Sequence, residues 1–594
     1  MAKISVLDFG GQYAHLIASR LRSLGFCAEV QLPQDPNLNL EDTRGIILSG
    51  GPASVLAPAA PQLDPAILDL GKPILAICYG FQLVVKMRGG KIRKGQVAEF
   101  GPAQITQQTP SKILAQLPKT SEVWMSHFDE VTSLPAQWQT FASTKNCHFA
   151  AAGTENFFGV QFHPEVLHTK YGRRILANFG QLCQLPQNWN LTKFLTTEIK
   201  HLKKQVGPKK VFLLVSGGVD STVAFALLNK ALGPQKVFGL LIETGLLRTQ
   251  EAQNIQQTLR KNGFQNLFVE DASGHFLAAL KQATEPEKKR QIIGRVFLRT
   301  QQKVLKRLKF NPRNWLLGQG TIYPDTIESA GTQNAARIKT HHNRVPEIEK
   351  MLAQNLVVEP LAKLYKNEVR EIGKALKLPA SLIQREPFPG PGLGIRILCG
   401  QKQDCPTKNQ LQMAIKQKWQ ISSKILPVRS VGVQGDARTF GHPVALFTRN
   451  WNLKKLTVIA TEITNKFPAL NRVLLCLTTK TAPRHLLHKA MFLTKQRVEL
   501  CRKADSLARA ILKKAGEKHK VWQMPVVLVP VSTDNKRESL VLRPVESQEA
   551  MTASATQFPP KLLSAFTQQL SKIPEIEQIF LDLTNKPPAT IEWE

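Results

Sequence analysis

The sequence predicts an α/β protein: two successive open-sheet domains followed by two small α+β subdomains. Three observations predict this. Short apolar runs alternate with amphipathic segments from Lys3 to Phe162, and the alternation restarts at Val211. In each half, one strand breaks into a turn of small or reactive residues at the head of a helix, at Cys78 and again at Ser216–Thr222. The last third of the chain is similar to itself.

Length and composition set the frame. A chain of 594 residues accommodates roughly three to five domains, each with its own core. Hydrophobic content of 42% with 21% charged residues fits a soluble globular protein, and no apolar run is long enough to span a membrane. The start, MAKISVLDFGGQ, runs straight into a strand without a signal-peptide pattern, so a cytoplasmic location is expected. Eight cysteines without a CxxC pair indicate neither a zinc site nor a disulfide framework by spacing. The formal net charge of +35 would suit phosphate binding, but the basic residues are spread over the whole length. A field that attracts small anionic substrates fits better than a specific nucleic-acid partner.

KISVLDF reads as the first strand, ending at Gly10-Gly11-Gln12 before the amphipathic AHLIASRLRSLG. A second strand is expected near Cys27–Leu32, and a third at Gly45–Leu48 running into Ser49-Gly50-Gly51-Pro52. The fourth, Pro73–Ile77, meets Cys78-Tyr79-Gly80 and the helical FQLVVKMRG. A sharp strand-to-helix turn presents its side chain above the sheet, and a helix N-terminus lowers a thiol pKa. A lone cysteine is ordinarily just a small buried apolar residue. What changes the reading is FFGVQF, which ends in His163-Pro164-Glu165 at the carboxyl edge of another strand. Thiol, imidazole and carboxylate together supply a nucleophile, a base and an orienting group. His127, in Trp124-Met125-Ser126-His127, reads as structural.

Residues 181–195 look like a seam, with a helix expected over Thr196–Lys204. Val211–Val215 then reads as a buried parallel strand feeding Ser216-Gly217-Gly218-Val219-Asp220-Ser221-Thr222 and the helical VAFALLNKAL. Glycines allow close backbone approach, and a helix start with hydroxyl donors suits a pyrophosphate. The Walker A spacing is absent. A second strand ends at Glu243-Thr244-Gly245. PEKKRQIIGRVF follows as a basic amphipathic helix with Lys289, Arg290 and Arg295, whose plain reading is a solvated face. His341-His342 lacks a third ligand at zinc spacing. Pro387–Gly394 reads as a rigid loop and hinge.

In the tail, LPVRSVGVQGD from Leu426 aligns with MPVVLVPVSTD from Met524, matching Asp436 to Asp534. PALNRVLLCLTTK from Pro468 aligns with PEIEQIFLDLTNK from Pro574, matching Lys480 to Lys586. Two copies of one α+β unit are expected, of which only the second ends in KPPATIEWE.

These strings also carry a resemblance. ILSGGPASV, LAICYGFQ and GVQFHPEV resemble class I glutamine amidotransferases. That resemblance implies Cys78 as nucleophile, His163 as proton carrier, Glu165 as its orienting partner, and N–H groups at Gly51 and Tyr79 as oxyanion donors. Ala76 and Phe81 depart from the usual glycine and methionine without touching the chemistry. SGGVDST resembles the loop of N-type ATP pyrophosphatases, of the adenine nucleotide α-hydrolase-like fold. Together with GQGTIYPDTIES, IKTHHN, EPLAKLYKNEVR and PFPGPGLGIRIL, it resembles the synthetase domain of GMP synthases. The resemblance runs from the first strand to the last residue.

It implies domains at 1–190, 195–398, 399–483 and 484–594, the last two being the duplicated dimerisation-type subdomain of longer relatives. It implies XMP, ATP and glutamine as substrates. ATP would lie on Ser216 to Thr222, Mg2+ at Asp220, and XMP on Arg290, Asp436, Gln523, Lys586 and Glu592. Glu243-Thr244 replaces the usual aspartate-led pair, at the adenine or ribose end of the pocket. Because the second copy is tethered to the first, a monomer is expected over a homodimer. A tRNA-thiolating or NAD-forming relative of the loop fits less well, given the fused glutaminase and KPPATIEWE. A decayed enzyme that binds nucleic acid is disfavoured by the intact Cys78, His163, Glu165 and SGGVDST.

Overall fold

The computed structural model describes the chain apart from Met1, Gln12, Asn37, Pro312, residues 326–350, Gly435, Asp436, and residues 517–520 and 548–552. The described residues form two compact units, one up to Leu195 and one from Thr196 to the C-terminus. Among them no helix is long and apolar enough to cross a membrane.

The first unit is built from β1 (Lys3–Leu7), α1 (Ala14–Ser23), β2 (Ala28–Gln31), β3 (Thr43–Leu48), β4 (Ile74–Ile77), α2 (Tyr79–Met87), β5 (Lys91–Gln107), β6 (Thr120–Ser133), β7 (Gln139–Ser143), β8 (Ala151–Gly153), β9 (Phe157–Val160) and α3 (Gly172–Leu182). Its nine strands form one sheet in the order β2-β1-β3-β4-β9-β8-β7-β5-β6. The first five of that order are parallel, and the remaining pairings are antiparallel. β4 is buried along its whole length, as a parallel strand covered on both faces should be. Because β4 and β9 are neighbours, the turns that follow them emerge side by side at one sheet edge.

A helix α4 (Leu191–Val206) follows. It starts inside the expected seam because the Asn190 side chain accepts from the N–H groups of Thr192 and Lys193, an N-cap that overrides the local prolines. The second unit then opens with β10 (Lys210–Leu214), α5 (Val219–Leu232), β11 (Val237–Glu243), α6 (Glu251–Lys261), β12 (Leu267–Asp271), α7 (Ser273–Leu280), α8 (Pro286–Arg307), β13 (Trp315–Gly318), β14 (Val357–Val358) and α9 (Lys366–Ala375). The all-parallel order is β12-β11-β10-β13-β14. From β10 the chain moves outward to β12, then returns to the opposite side of β10 as β13. This reversal opens a crevice at the carboxyl ends of β10 and β13. The helix after the loop starts at Val219, earlier than its apolar run indicates, so Asp220, Ser221 and Thr222 occupy its first turn.

The tail contributes β15 (Ser422–Ile425), β16 (Ser430–Gln434), β17 (Ala437–Phe447), α10 (Leu453–Lys466), β18 (Leu470–Cys476), α11 (Lys495–Lys514), β19 (Val526–Val529), β20 (Glu538–Leu542), α12 (Pro560–Leu570) and β21 (Ile576–Asp582). One sheet runs β15-β17-β18-β21-β20-β19, with β16 hairpinned onto β17. Its order is palindromic in the elements. β15 and β17 are antiparallel while β17 and β18 are parallel across α10. β19 and β20 are antiparallel while β20 and β21 are parallel across α12. The two halves meet at β18 and β21, antiparallel, with Leu474 opposite Asp582, Leu475 opposite Leu581 and Cys476 opposite Phe580. Residues 399–483 and 484–594 therefore share a single sheet. Ile459, Ile463, Leu563 and Phe566 of the two crossover helices belong to one buried apolar cluster with Leu475 and Leu581.

Candidate active sites

In the first unit Cys78 stands between β4 and α2 with φ 50° and ψ −106°, a conformation that costs a non-glycine residue energy. Its backbone N–H donates to Val160 O of the neighbouring strand at 2.8 Å. The buried Sγ lies 3.7 Å from Ser126 O and accepts from Gln161 Nε2 at 3.5 Å. His163, on the turn after β9, donates its backbone N–H to Trp124 O, and its own carbonyl accepts from the Thr169 hydroxyl at 2.6 Å. Its Nδ1 lies 2.7 Å from Glu165 Oε1, so that nitrogen carries the proton. Burial alone would push this imidazole down. The charge of Glu165, with hydrogen bonding to Cys78 and Glu165, outweighs it and lifts His163 to about 10. The Glu165 side chain is fully buried, and its Oε2 has no hydrogen-bond partner among the described residues. Tyr13 packs edge-on against the His163 ring. Tyr79 opens α2 directly after the cysteine, placing its N–H in the helix's unsatisfied first turn. Gly51 packs close by, since a Cβ there would lie 3.3 Å from the Tyr79 ring.

In the second unit the turn after β10 folds on itself. Ser216 N–H donates to Ser221 Oγ at 3.1 Å, and the two hydroxyls are 3.0 Å apart. Gly217 adopts φ 78°, and its carbonyl accepts from Arg385 Nη1 at 2.7 Å. At Gly320, just after β13, a Cβ would lie 2.9 Å from Ser221 Cα, so the two loops of the crevice approach within backbone distance. Asp220 Oδ2 accepts from Lys366 Nζ at 3.0 Å, while its Oδ1 is buried with no hydrogen-bond partner among the described residues. Arg385 also pairs with Glu251 at the head of α6. The extra methylene of Glu243 lets its Oε1 accept from Gly245 N–H at 2.8 Å, and burial pushes the carboxyl up.

The C-terminus is pinned in the same unit. Glu592 accepts two hydrogen bonds from the fully buried Arg396, at 2.7 and 3.0 Å, and one from Gln523 Nε2 at 3.0 Å. Lys289, also fully buried, donates to Glu594 Oε2 at 2.6 Å and to Ile397 O at 2.9 Å. Arg290 Nη2 donates to the main-chain oxygen of Glu594 at 2.6 Å. Lys586 is fixed through its backbone, donating to Ala553 O at 2.7 Å.

Comparison with known proteins agrees with this division. The family profile for class-I glutamine amidotransferases matches residues 5–182. That for NAD synthase matches residues 190–304, and that for the GMP synthase C-terminal domain matches 510–593. A Leptospira interrogans protein named "Probable GMP synthase (glutamine-hydrolyzing)" is 45% identical, covering 100% of this chain and 99% of its own length. The chain belongs to the glutamine-hydrolysing GMP synthase family. The GMP synthase of Bifidobacterium longum is 36% identical over 100% of this chain and 96% of itself. That of Syntrophomonas wolfei is 40% identical over 80% of this chain and 98% of itself.

The structure brings Cys78, His163 and Glu165 together and places Ser216–Thr222 at the crevice. Of the five expected XMP contacts, Gln523 and Glu592 touch each other and Arg290 holds the chain end. Asp436 lies outside the described residues, as do Lys339, His341 and His342. Sequence reasoning missed Gln161, which reaches the thiol, and Lys366 and Arg385, which hold the ATP-type loop. It also missed Arg396. The basic face read on α8 is corrected at Lys289, which is buried against Glu594 rather than solvated. All eight cysteines are free.

Proposed function

We propose that this GMP synthase family member converts XMP, ATP, glutamine and water to GMP, AMP, pyrophosphate and glutamate. One conjunction supports the reading. A buried Cys–His–Glu set in one unit and an SGGVDST loop at a sheet crevice in the other occur in a chain that aligns end to end with glutamine-hydrolysing GMP synthases.

Glutamine hydrolysis is assigned to the first unit. An imidazolium at His163 favours a thiolate at Cys78. The sulfur attacks the glutamine amide carbon, and the Gly51 and Tyr79 N–H groups receive the developing oxyanion. His163 then delivers its proton to the departing nitrogen, releasing ammonia. A water activated by the same imidazole cleaves the thioester to glutamate. Glu165 keeps the ring oriented and charged.

Adenylation is assigned to the second unit. The N–H groups and hydroxyls from Ser216 to Thr222 cradle the β- and γ-phosphates at the start of α5. The orphaned Asp220 Oδ1 fits a cation; bound there with ATP, Mg2+ would offset phosphate charge. The C2 oxygen of XMP attacks the α-phosphorus and pyrophosphate leaves. Ammonia then displaces AMP from the adenyl-XMP intermediate, giving GMP. Arg290 and Lys586 suit the XMP phosphate, while Gln523, Glu592 and Asp436 suit the ribose or base.

The longer form with a duplicated C-terminal subdomain belongs to this reading. Its support is the palindromic sheet order, and the offset of 106 residues that relates Leu475 to Leu581 also relates Leu474 to Phe580 and Cys476 to Asp582. The tethered second copy then takes the place of a twin molecule, which argues for a monomer. Domain limits at 190, 195, 398 and 483 and a cytoplasmic location complete the assignment. The experiment is Cys78→Ala. Glutamine-driven GMP formation should vanish while ammonium-driven synthesis persists, and loss of both in a folded variant would refute the division of labour.

A further inference from the structure

A second constellation lies in the first unit, close to the nucleophile but outside the chemistry assigned above. Glu99 and His127 are directly paired across β5 and β6. Cys147 sits between β7 and β8, with its N–H donating to Thr144 Oγ1 at 2.8 Å and its carbonyl accepting from Thr144 N–H at 2.8 Å. One ligand atom from each of Glu99, His127 and Cys147 lies within 4.8 Å of the other two. The side chains of His127 and Glu99 are 6% and 12% exposed, so this is an interior site with the carboxylate on its outer side.

The tautomer of His127 makes the cluster chemically incomplete. His127 Nδ1 lies 3.0 Å from Asp129 O, and a carbonyl can only accept, so Nδ1 carries the hydrogen. The neutral ring therefore aims a lone pair from Nε2 at Glu99 Oε2, 3.2 Å away. Two acceptors face each other in a nearly dry place, and a proton or a metal ion must stand between them. The neighbouring sulfur favours the metal, because a thiol within 4.8 Å of both the imidazole and the carboxylate completes a three-donor set that a single shared proton would leave unused. A divalent ion would take Cys147 as thiolate and make all three groups ligands.

We propose that Glu99, His127 and Cys147 bind a divalent transition metal, zinc by preference, with a fourth position left to water. Thiolate and imidazole select zinc over magnesium or calcium. The hydrogen bond from Nδ1 to a backbone carbonyl is the outer-shell support that metal-binding histidines normally have. Metal–ligand distances of ~2.0–2.3 Å require donors ~3.3–3.8 Å apart, so the sulfur moves inward by at most about 1.5 Å. The ion also braces the nucleophile. Ser126, whose carbonyl faces Cys78 Sγ, precedes His127. Asp129 O accepts from Gln82 Nε2, which also donates to Gln161 Oε1, and Gln161 in turn reaches Cys78.

The test titrates Co2+ into the full-length, chelator-treated protein. The expected result is one equivalent bound, with a near-ultraviolet thiolate-to-cobalt band that Zn2+ abolishes. The band should survive Cys78→Ala and disappear in Cys147→Ala. Glu99→Gln keeps the side-chain shape and should weaken Co2+ binding at least about tenfold; this arm stands even if Cys147→Ala fails to fold. The proposal is overturned if the wild type gives no band, if the band follows Cys78 instead of Cys147, or if Glu99→Gln binds Co2+ as tightly as the wild type. An absent band leaves the proton as the occupant, with His127 and Glu99 as a plain buried ion pair.

Discussion

Glu165→Gln probes the glutaminase site with the smallest change of shape. The carboxylate is fully buried and 2.7 Å from His163 Nδ1, and its charge is what holds the imidazole at about 10 against the pull of burial. An amide still offers an oxygen to Nδ1–H but no charge, so the largest influence opposing burial is lost and the ring falls from about 10 toward its ordinary value of 6.5. At pH 7.5 the imidazolium goes from essentially complete toward about a tenth. Glutamine-driven GMP formation should then fall about 10²–10⁴-fold, the range of a positioned acid–base group. Ammonium-driven synthesis should be unchanged. Alkylation of Cys78 by iodoacetamide at the same pH should slow, because the sulfur loses its cationic partner. The pH dependence of stability carries the same signature. The folded value lies above the unfolded one, so the pair's contribution is complete below about pH 6.5 and is lost as pH rises through about 10. The glutamine variant should lack that alkaline loss. Glutaminase activity within about threefold of wild type would refute the role given to Glu165.

Three further predictions concern the second unit. Asp220→Ala should raise the KM for MgATP while leaving glutamine hydrolysis intact, since it removes the orphaned oxygen at the loop; unchanged ATP kinetics would remove Asp220 from the cation site. Lys289→Met should destabilise the second unit by about 3–5 kcal/mol in urea unfolding, because it strands the buried Glu594 carboxylate. A loss under about 1 kcal/mol would mean that the ion pair is dispensable. Sedimentation velocity at moderate salt, where the +35 charge is screened, should give a monomer with or without XMP. A dimer that persists on dilution would show that the palindromic sheet does not replace a twin subunit.

Much of this architecture is legible in the sequence where function rests on local patterns. Cys78 and His163 each end a short apolar run, so periodicity alone puts them at strand ends, and parallel pairing of adjacent strands makes them neighbours. The tail repeat is visible because both copies keep strand and helix spacing. What periodicity cannot show is a pair made between distant parts of the chain. Lys289 and Glu594 are 305 residues apart, and a lysine on an amphipathic helix looks solvated until its partner arrives. Arg396 follows a glycine-rich loop and gives no sign that Glu592 will neutralise it. Glu99, His127 and Cys147 come from three separate strands or loops of an antiparallel extension, so their spacing resembles no metal motif. The start of α5 was obscured for a different reason. Gly218 and Ser221 read as turn residues, yet the Ser216–Ser221 hydrogen bonds close the turn and let the helix begin at Val219.

The most direct measurement of the central claim is a product analysis of the full-length protein incubated with XMP, MgATP and glutamine. GMP, AMP, pyrophosphate and glutamate should form in equal amounts, with AMP rather than ADP because the α-phosphorus is attacked. If the folded protein yields no GMP from either glutamine or ammonium, or if ATP is consumed to ADP and phosphate, the assignment of the two sites is wrong.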